Sequence, residues 1–172
     1  IKLTVLVDTR DNISNCFKGY YASVSMLFNV KIGNNSQQST QLIYDGRYYL
    51  GLSKERQRHV LAFWSSGTIL LGGTVPYLAL PSIGWDTYNR SGRGYIQGRY
   101  RGLSMVYNEA EYRFPVSKNG FLGGVFFVNA TTASNYAKNL FDRTAFGTGA
   151  GIRLQLDKRA RTNLTVDVGY GS

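Results

Sequence analysis

The sequence predicts an all-β protein, an antiparallel β-barrel of about eight strands. Apolar residues recur mainly every second position, which is the period of a strand with one apolar face. The alternating runs are roughly ten residues long, the length with which a tilted strand crosses a bilayer. The composition is also typical of a barrel, because the 172 residues include 20 Gly, 13 Tyr and 9 Phe but only 3 Pro.

The alternation defines the strands in chain order. Six runs have one apolar and one polar face, namely 2–10, 20–31, 40–53, 104–115, 147–157 and 164–170. In the second run, Tyr20, Val24 and Phe28 lie on the apolar face, whereas Ser23 and Lys31 lie on the polar face. The runs 58–71 and 121–133 are also strand-like, but both of their faces carry apolar residues.

Alternation alone does not decide whether the apolar face meets a protein core or a membrane. Three details favour a transmembrane barrel over a soluble barrel or sandwich. Charged residues of both signs share the polar face of neighbouring strands, aromatic residues lie near strand ends, and short connections alternate with longer ones. From the residues alone, both interpretations stay open.

The composition disfavours several kinds of chemistry. No stretch approaches 18 uninterrupted apolar residues, so we expect no transmembrane helix. Cys16 is the only cysteine and His59 the only histidine, which leaves little material for a disulfide, a metal site or a catalytic triad. We therefore expect no cofactor, no metal and no enzyme activity.

The net charge of +10 favours acidic partners. The basic residues are dispersed over several strands among acids, however, and do not form one basic face. We therefore expect no nucleic-acid partner.

The longest irregular segment, 73–103, contains a basic run punctuated by glycine at 92–102. A strand-rich protein seldom keeps so long a connection without a function for it. Within the run, Arg93 and Gly94 precede Tyr95, and no acid lies nearby in sequence. The glycine spacing does not fit a dinucleotide-binding loop. A solvated loop, or one that contacts acidic lipid, is the simplest alternative to a buried one.

If the loop folds into a barrel, its arginine needs a carboxylate partner. Glu109 and Glu111 share one face of their strand with Arg113, so at least one acid is expected to be available to Arg93. The two glutamates could equally be ordinary ion-pair partners of Arg113 and Arg153 alone.

Several short segments, taken in chain order, resemble a known family. They are 8–12 with 16–19, then 93–95, 111–115, 149–153 and 164–171. Together they resemble the bacterial surface antigen domain, the C-terminal half of the barrel in the BamA/TamA superfamily of outer-membrane insertases and translocases. The sequence departs from the family where Cys16 or Phe17 replaces an expected Pro, and where Asn129 replaces an expected Asp.

This resemblance implies a single outer-membrane barrel domain over 1–172, with the long loop 73–103 folded back into the barrel. It implies that the loop motif Arg93, Gly94 and Tyr95 meets the inner wall. The expected partners of the loop on that wall are Glu109, Glu111, Asn129, Arg153 and Asp167. An amide at 129 cannot neutralise an arginine, so we expect part of the electrostatic attraction to the loop to be weaker than in relatives. Whether the loop is held less firmly as a result stays open at this point. We also expect the chain to be part of a longer polypeptide.

The resemblance further implies a role in inserting or translocating proteins at the bacterial outer membrane. The expected partners are client outer-membrane proteins or partner subunits, together with outer-membrane lipid and lipopolysaccharide. The alternative is a small outer-membrane barrel that serves as an anchor, or as a binding module for lipopolysaccharide or a partner protein.

Overall fold

The computed structural model describes residues 1–31, 37–52, 59–86, 90–134, 143–157 and 159–172. These residues contain eight strands and one short 3₁₀ helix, Tyr77–Ala79. The strands are β1 (Lys2–Asp8), β2 (Gly19–Asn29), β3 (Ser39–Gly51), β4 (Val60–Gly73), β5 (Ser104–Pro115), β6 (Leu122–Ser134), β7 (Arg143–Asp157) and β8 (Thr162–Gly171).

The strands form one antiparallel sheet in the order β1 to β8, so each strand pairs with its neighbour in sequence. Within the described residues β1 and β8 do not pair with each other, and each has one paired edge. The all-β antiparallel fold predicted from the period of two is confirmed. No helix in the described ranges is long and apolar enough to cross a membrane.

The connections differ in length at the two ends of the sheet. At one end, called the turn end, they span 9–18, 52–59, 116–121 and 158–161. At the other, the loop end, they span 30–38, 74–103 and 135–142. Apart from 74–103 the two sets are of similar length, so the predicted asymmetry depends on that one loop.

The two faces of the sheet differ in the way that a membrane requires. Large apolar side chains on the outward face are exposed, for example Phe126 at 57% and Val168 at 77%. The inward face is covered, with Tyr107 at 1% and Phe127 at 2% exposed. A soluble barrel would bury its most apolar face, whereas a membrane barrel turns that face to lipid. The sheet is therefore a transmembrane β-barrel wall with a lipid-facing outside.

The connection 9–18 folds over the turn end of the inward face. The carboxylate of Asp11 accepts hydrogen bonds from the backbone amides of Phe17 and Lys18 and forms an ion pair with Arg161 at 2.5 Å. Burial alone would raise the pKa of Asp11, but these donors outweigh it and lower the pKa to about 2. Arg161 therefore links the first hairpin to the last.

Cys16 lies inside this connection and is 2% exposed. Burial raises the pKa of its thiol to about 11, which keeps the thiol protonated and unreactive. Its backbone carbonyl, together with the side chain of Asn15, accepts from Arg113 on β5. Cys16 therefore has a packing role at the turn end of the wall.

Candidate functional site: an arginine-pinned loop inside the barrel wall

The loop 74–103 returns onto the inward face of the sheet as a folded element; residues 87–89 lie outside the described part of it. An antiparallel bridge joins Ser82 to Arg101, and the backbone of Ile83 bonds to both Tyr100 and Gly98 at 2.9 Å. Ile83 is 1% exposed and packs against Met105 and Ala133 on the wall. The loop therefore has a small apolar core of its own with β5 and β6.

The backbone around Arg93 requires its two glycines. Gly92 has φ +78° and Gly94 has φ +100°, in a region that other residues rarely adopt. A Cβ atom on Gly94 would lie 2.9 Å from the carbonyl carbon of Tyr170 on β8. The glycines thus let the loop press against the last strand, and this contact places the Arg93 side chain along the wall.

The guanidinium of Arg93 contacts three carboxylates. Its Nε and Nη2 donate to the two oxygens of Glu109 at 3.0 and 2.5 Å. Nη2 also donates to Glu111 at 2.5 Å, and Nη1 donates to Asp167 at 3.0 Å. The pair with Glu109 is bidentate, the strongest geometry available to arginine and a carboxylate. Since Glu109 and Glu111 lie on β5 and Asp167 on β8, one side chain links two separate strands.

Two further arginines complete the cluster. Arg113 donates to Glu111, and Arg153 donates to Asp167 and lies 3.5 Å from Glu111. Three guanidinium groups thus face three carboxylates, so the charges balance. The glutamates are nearly buried, with side chains 8% and 6% exposed. A buried, balanced network of this kind is costly to break, because removal of one member leaves another charge without a partner.

Neutral side chains also contact Arg93 or its partner Glu109. The Arg93 Cζ lies 3.9 Å above the centre of the Phe127 ring, a close cation–π contact. The Asn129 amide donates to the backbone carbonyl of Arg93 at 2.9 Å. Tyr107 donates its hydroxyl to Glu109 at 2.6 Å. Asn129 therefore holds the backbone of the loop, a role that an Asp could not fill because a carboxylate has no N–H to donate.

A column of glycines on β7 and β8 makes room for the loop. This role was not predicted from the sequence. Gly147 and Gly149 lie inward on β7, where an added Cβ would meet Asn129 Oδ1 at 2.7 Å and Phe127 at 2.4 Å. On β8, a Cβ on Gly169 would meet the amide nitrogen of Gly94 at 2.8 Å, and one on Gly171 would meet the Tyr95 ring. The signal in the sequence is glycine at every second position, which leaves one face of a strand without side chains.

The other predicted loop residue, Tyr95, lies at the end of β8. It stacks edge-on with Tyr100, and both hydroxyls donate to the Ser172 carbonyl, at 3.5 and 3.3 Å. Arg101 lies apart from the cluster, over the rings of Tyr77 and Trp85. Four of the predicted partners, Glu109, Glu111, Asn129 and Asp167, contact Arg93 directly. Arg153 joins them through Glu111 and Asp167, whereas Arg101 makes no ion pair in the described part of the chain.

Each carboxylate of the cluster already accepts from at least one arginine. Among the residues described, no group of three His, Cys, Asp or Glu side chains is arranged to hold a metal ion.

Together these features define a membrane-spanning barrel wall whose longest loop is pinned inside it by one arginine. The model of the Omp85 superfamily domain matches residues 1–166, which is nearly the whole chain. The chain therefore belongs to the Omp85 superfamily, a family of outer-membrane insertases and translocases, and the predicted resemblance is confirmed. No curated protein matches the chain.

Proposed function

We propose that this protein assists the insertion or translocation of client proteins at the bacterial outer membrane, without catalysing a covalent step. The observation that carries the proposal is the link that Arg93 makes between β5 and β8. Membership of the Omp85 superfamily supports the general role.

The proposed mechanism needs a seam between two strands of the barrel wall that closes only weakly. Where such a seam opens, its strand edges offer backbone N–H and C=O groups. Such an edge can accept an added strand, and strand addition is a common mode of polypeptide recognition. Strands near an opening seam need support from behind, and the loop supports β8 by lying against Gly169 and Tyr170.

The support extends well into the wall. β5 and β8 are three strand spacings apart, or about 14 Å. Arg93 therefore couples β8 to a strand that is paired on both sides. We infer that the loop stiffens the β5–β8 part of the wall while a seam in the barrel exchanges partners.

The test compares Arg93→Ala with Arg101→Ala. Both remove a loop arginine, but only Arg93 contacts the buried carboxylates. We expect Arg93→Ala to reduce the insertion of a β-barrel client into proteoliposomes. We also expect it to lower the temperature at which the protein loses the gel mobility of its folded form. Arg101→Ala should change both less.

Equal and negligible effects of the two changes would refute the role of the pinned loop. If Arg93→Ala destabilised the barrel while client insertion per folded molecule stayed normal, the loop would be purely structural. That result would favour the alternative role of an anchor or binding module.

A further inference from the structure

One row of inward side chains crosses the wall from β1 to the carboxylate that holds the loop. Each member of the row is paired with the next in the sheet register: Asp8, Tyr21, Arg47, Trp64 and Glu109. The pinned loop explains the last of these residues, because Glu109 contacts Arg93. The other four lie on β1 to β4, away from the arginine cluster, and their contacts point to a role of their own.

Arginines and aromatic rings alternate along this row. The guanidinium of Arg10, two residues beyond β1, lies 4.8 Å from the centre of the Tyr21 ring, and that of Arg47 lies 5.8 Å from the same ring. Arg47 also lies 4.9 Å from the Trp64 ring. Cation–π contacts are strongest where water is excluded, and the side chains of Arg10 and Arg47 are only 10% and 16% exposed. A continuous stack therefore links the end of β1 to β4.

Carboxylates fix both arginines of the stack in place. Arg10 donates to both oxygens of Asp8 at 2.9 and 2.7 Å, and Arg47 donates to both oxygens of Asp45 at the same distances. Bidentate pairs of this kind set the orientation of the guanidinium plane as well as its position. Asp45 also accepts from the indole nitrogen of Trp64 at 3.1 Å. Asp45 thus holds Arg47 and Trp64 against each other, and neither can turn without losing a hydrogen bond.

The stack reaches Glu109 through Tyr107. The rings of Trp64 and Tyr107 meet edge-on, with centres 5.1 Å apart and planes at 72°, a favoured geometry for two aromatic rings. The Tyr107 hydroxyl donates to Oε2 of Glu109 at 2.6 Å, and the same oxygen accepts from Arg93 at 3.0 Å. Tyr107 is 1% exposed, so its ring is confined by its neighbours. A shift of Trp64 would therefore move the hydroxyl that orients the Glu109 carboxylate.

We propose that a relay of five side chains positions the Glu109 carboxylate for its bidentate pair with Arg93. We call it the inner relay, and its members are Arg10, Tyr21, Arg47, Trp64 and Tyr107. Coupling of this kind is carried by contiguous packed side chains and hydrogen bonds. The inner relay extends the hold on the loop from β5 back to β1, so a displacement of β1 to β4 changes how firmly the loop is held. The inference deepens the proposed function and rests on it for its meaning in client insertion, whereas the docking of the loop is measured without a client.

The test measures how often the loop leaves the wall. Hydrogen–deuterium exchange of the folded protein in detergent micelles is followed by mass spectrometry of peptides from 90–103. Amides of this segment bond within the loop and to the wall, for example those of Gly98 and Leu103. Their exchange therefore reports local opening of the loop.

Trp64→Leu removes the ring that supports Tyr107. We expect it to speed exchange of the loop amides about fivefold. Trp64→Phe keeps a ring between Arg47 and Tyr107 and should change exchange by less than about twofold. The matched control is Phe63→Leu, because Phe63 is the adjacent residue of β4 and is 46% exposed on the lipid-facing side. Phe63→Leu should leave exchange of the loop unchanged.

A second background separates positioning from general stabilisation of the wall. Tyr107→Phe keeps the ring that meets Trp64 and removes only the hydroxyl that donates to Glu109. We expect it to speed exchange about as much as Trp64→Leu does. If Trp64 acts through that hydroxyl, adding Trp64→Leu to Tyr107→Phe should speed exchange by less than about a further twofold. A tryptophan that merely stabilised the wall would add its full effect in both backgrounds.

Arg47→Met is a second variant for the case that Trp64→Leu does not fold, as judged by heat-dependent gel mobility. It removes the guanidinium but leaves Trp64 in place, and it should speed exchange about threefold in the wild type and add little to Tyr107→Phe. Unchanged exchange in the relay variants, an equal rise in Phe63→Leu, or full additivity with Tyr107→Phe would overturn the inner relay.

Client insertion by the same variants separates this inference from the proposed function. If Trp64→Leu and Tyr107→Phe loosen the loop as expected while insertion per folded molecule stays normal, the inner relay is supported and the role of the loop in insertion fails. If exchange of the loop does not respond to these variants, the inner relay fails whatever the insertion assay gives.

Discussion

Arg93 and Asp167 are 74 positions apart in the sequence, and the Nη1 atom of the first donates to Oδ2 of the second at 3.0 Å. The same guanidinium holds Glu109 by two hydrogen bonds. A loop between β4 and β5 therefore reaches the last strand of the sheet and ties it to β5.

Replacement of Arg93 by Lys keeps the positive charge but removes the planar fork. An ammonium group cannot hold Glu109 in a bidentate manner while it also reaches Asp167. We expect Arg93→Lys to destabilise the barrel by about 1.5–3 kcal/mol, measured by urea unfolding in lipid vesicles. Arg101→Lys is the control and should change the free energy of unfolding by less than about 0.5 kcal/mol. A lysine variant as stable as the wild type would show that charge alone holds the loop.

Because the loop packs tightly against β8, we predict that a single methyl group added to β8 at this contact displaces the loop. Gly169→Ala places a Cβ 2.8 Å from the Gly94 backbone nitrogen, whereas Gly72→Ala places one where no atom lies within 4 Å. We expect Gly169→Ala to destabilise the barrel by about 1–3 kcal/mol through overpacking, and Gly72→Ala to have little effect. Limited proteolysis of the loop and urea unfolding measure the difference. If both variants resist protease equally, the loop does not press on β8.

Asn129→Asp tests how position 129 contributes to holding the loop. The Asn129 amide donates to the Arg93 carbonyl, so Asn129 helps to hold the loop although it carries no charge. An Asp would lose this donor and add a fourth negative charge to a balanced cluster. We expect a loss of about 1–3 kcal/mol in stability. Asn129→Ser, which keeps an O–H donor on a shorter side chain, should lose less. Greater stability of the Asp variant would favour neutralisation of charge as the role of this position.

The ion pair of Asp11 with Arg161 predicts a pH dependence at the turn end. The folded pKa of Asp11, about 2, lies below its ordinary value of 3.8. Its contribution is therefore complete above pH 3.8 and is lost as the pH falls through about 2. Asp11→Asn keeps the oxygen that accepts from Phe17 and Lys18 but removes the charge.

We expect the stability difference between wild type and Asp11→Asn to be constant from pH 5 to 8 and to vanish near pH 2. Because the pair is partly exposed, the difference should be less than about 1 kcal/mol, and salt should reduce it. Urea unfolding over this pH range measures it. A difference that grew as the pH fell would contradict the ion pair.

The alternation of side chains between the two faces of each strand was sufficient to predict which residues of the wall face the loop. Glu109, Glu111 and Arg113 alternate with apolar neighbours, and alternation fixes the face. This alternation does not predict the path of an irregular loop. The sequence around Arg93 shows only that no acid lies nearby. The prediction that this arginine enters the barrel therefore depended on the family resemblance.

The role of the strand glycines and of Asn129 could not be predicted in the same way. Gly149 and Gly169 matter because of backbone and rings that come from other parts of the chain. Asn129 bonds to a backbone carbonyl, which carries no sequence signal. These contacts are set by tertiary packing, which is decided only once the loop is in place.

A double-mutant cycle between Arg93→Ala and Asp167→Asn tests the central claim most directly. Unfolding in lipid vesicles is followed by fluorescence, with Trp85 in the loop and Trp64 on the wall as reporters. If Arg93 ties the loop to β8, the two changes should couple by about 1–3 kcal/mol, whereas Arg101→Ala and Asp167→Asn should be additive within about 0.5 kcal/mol. Additive effects of Arg93→Ala and Asp167→Asn would contradict the link between the loop and the last strand.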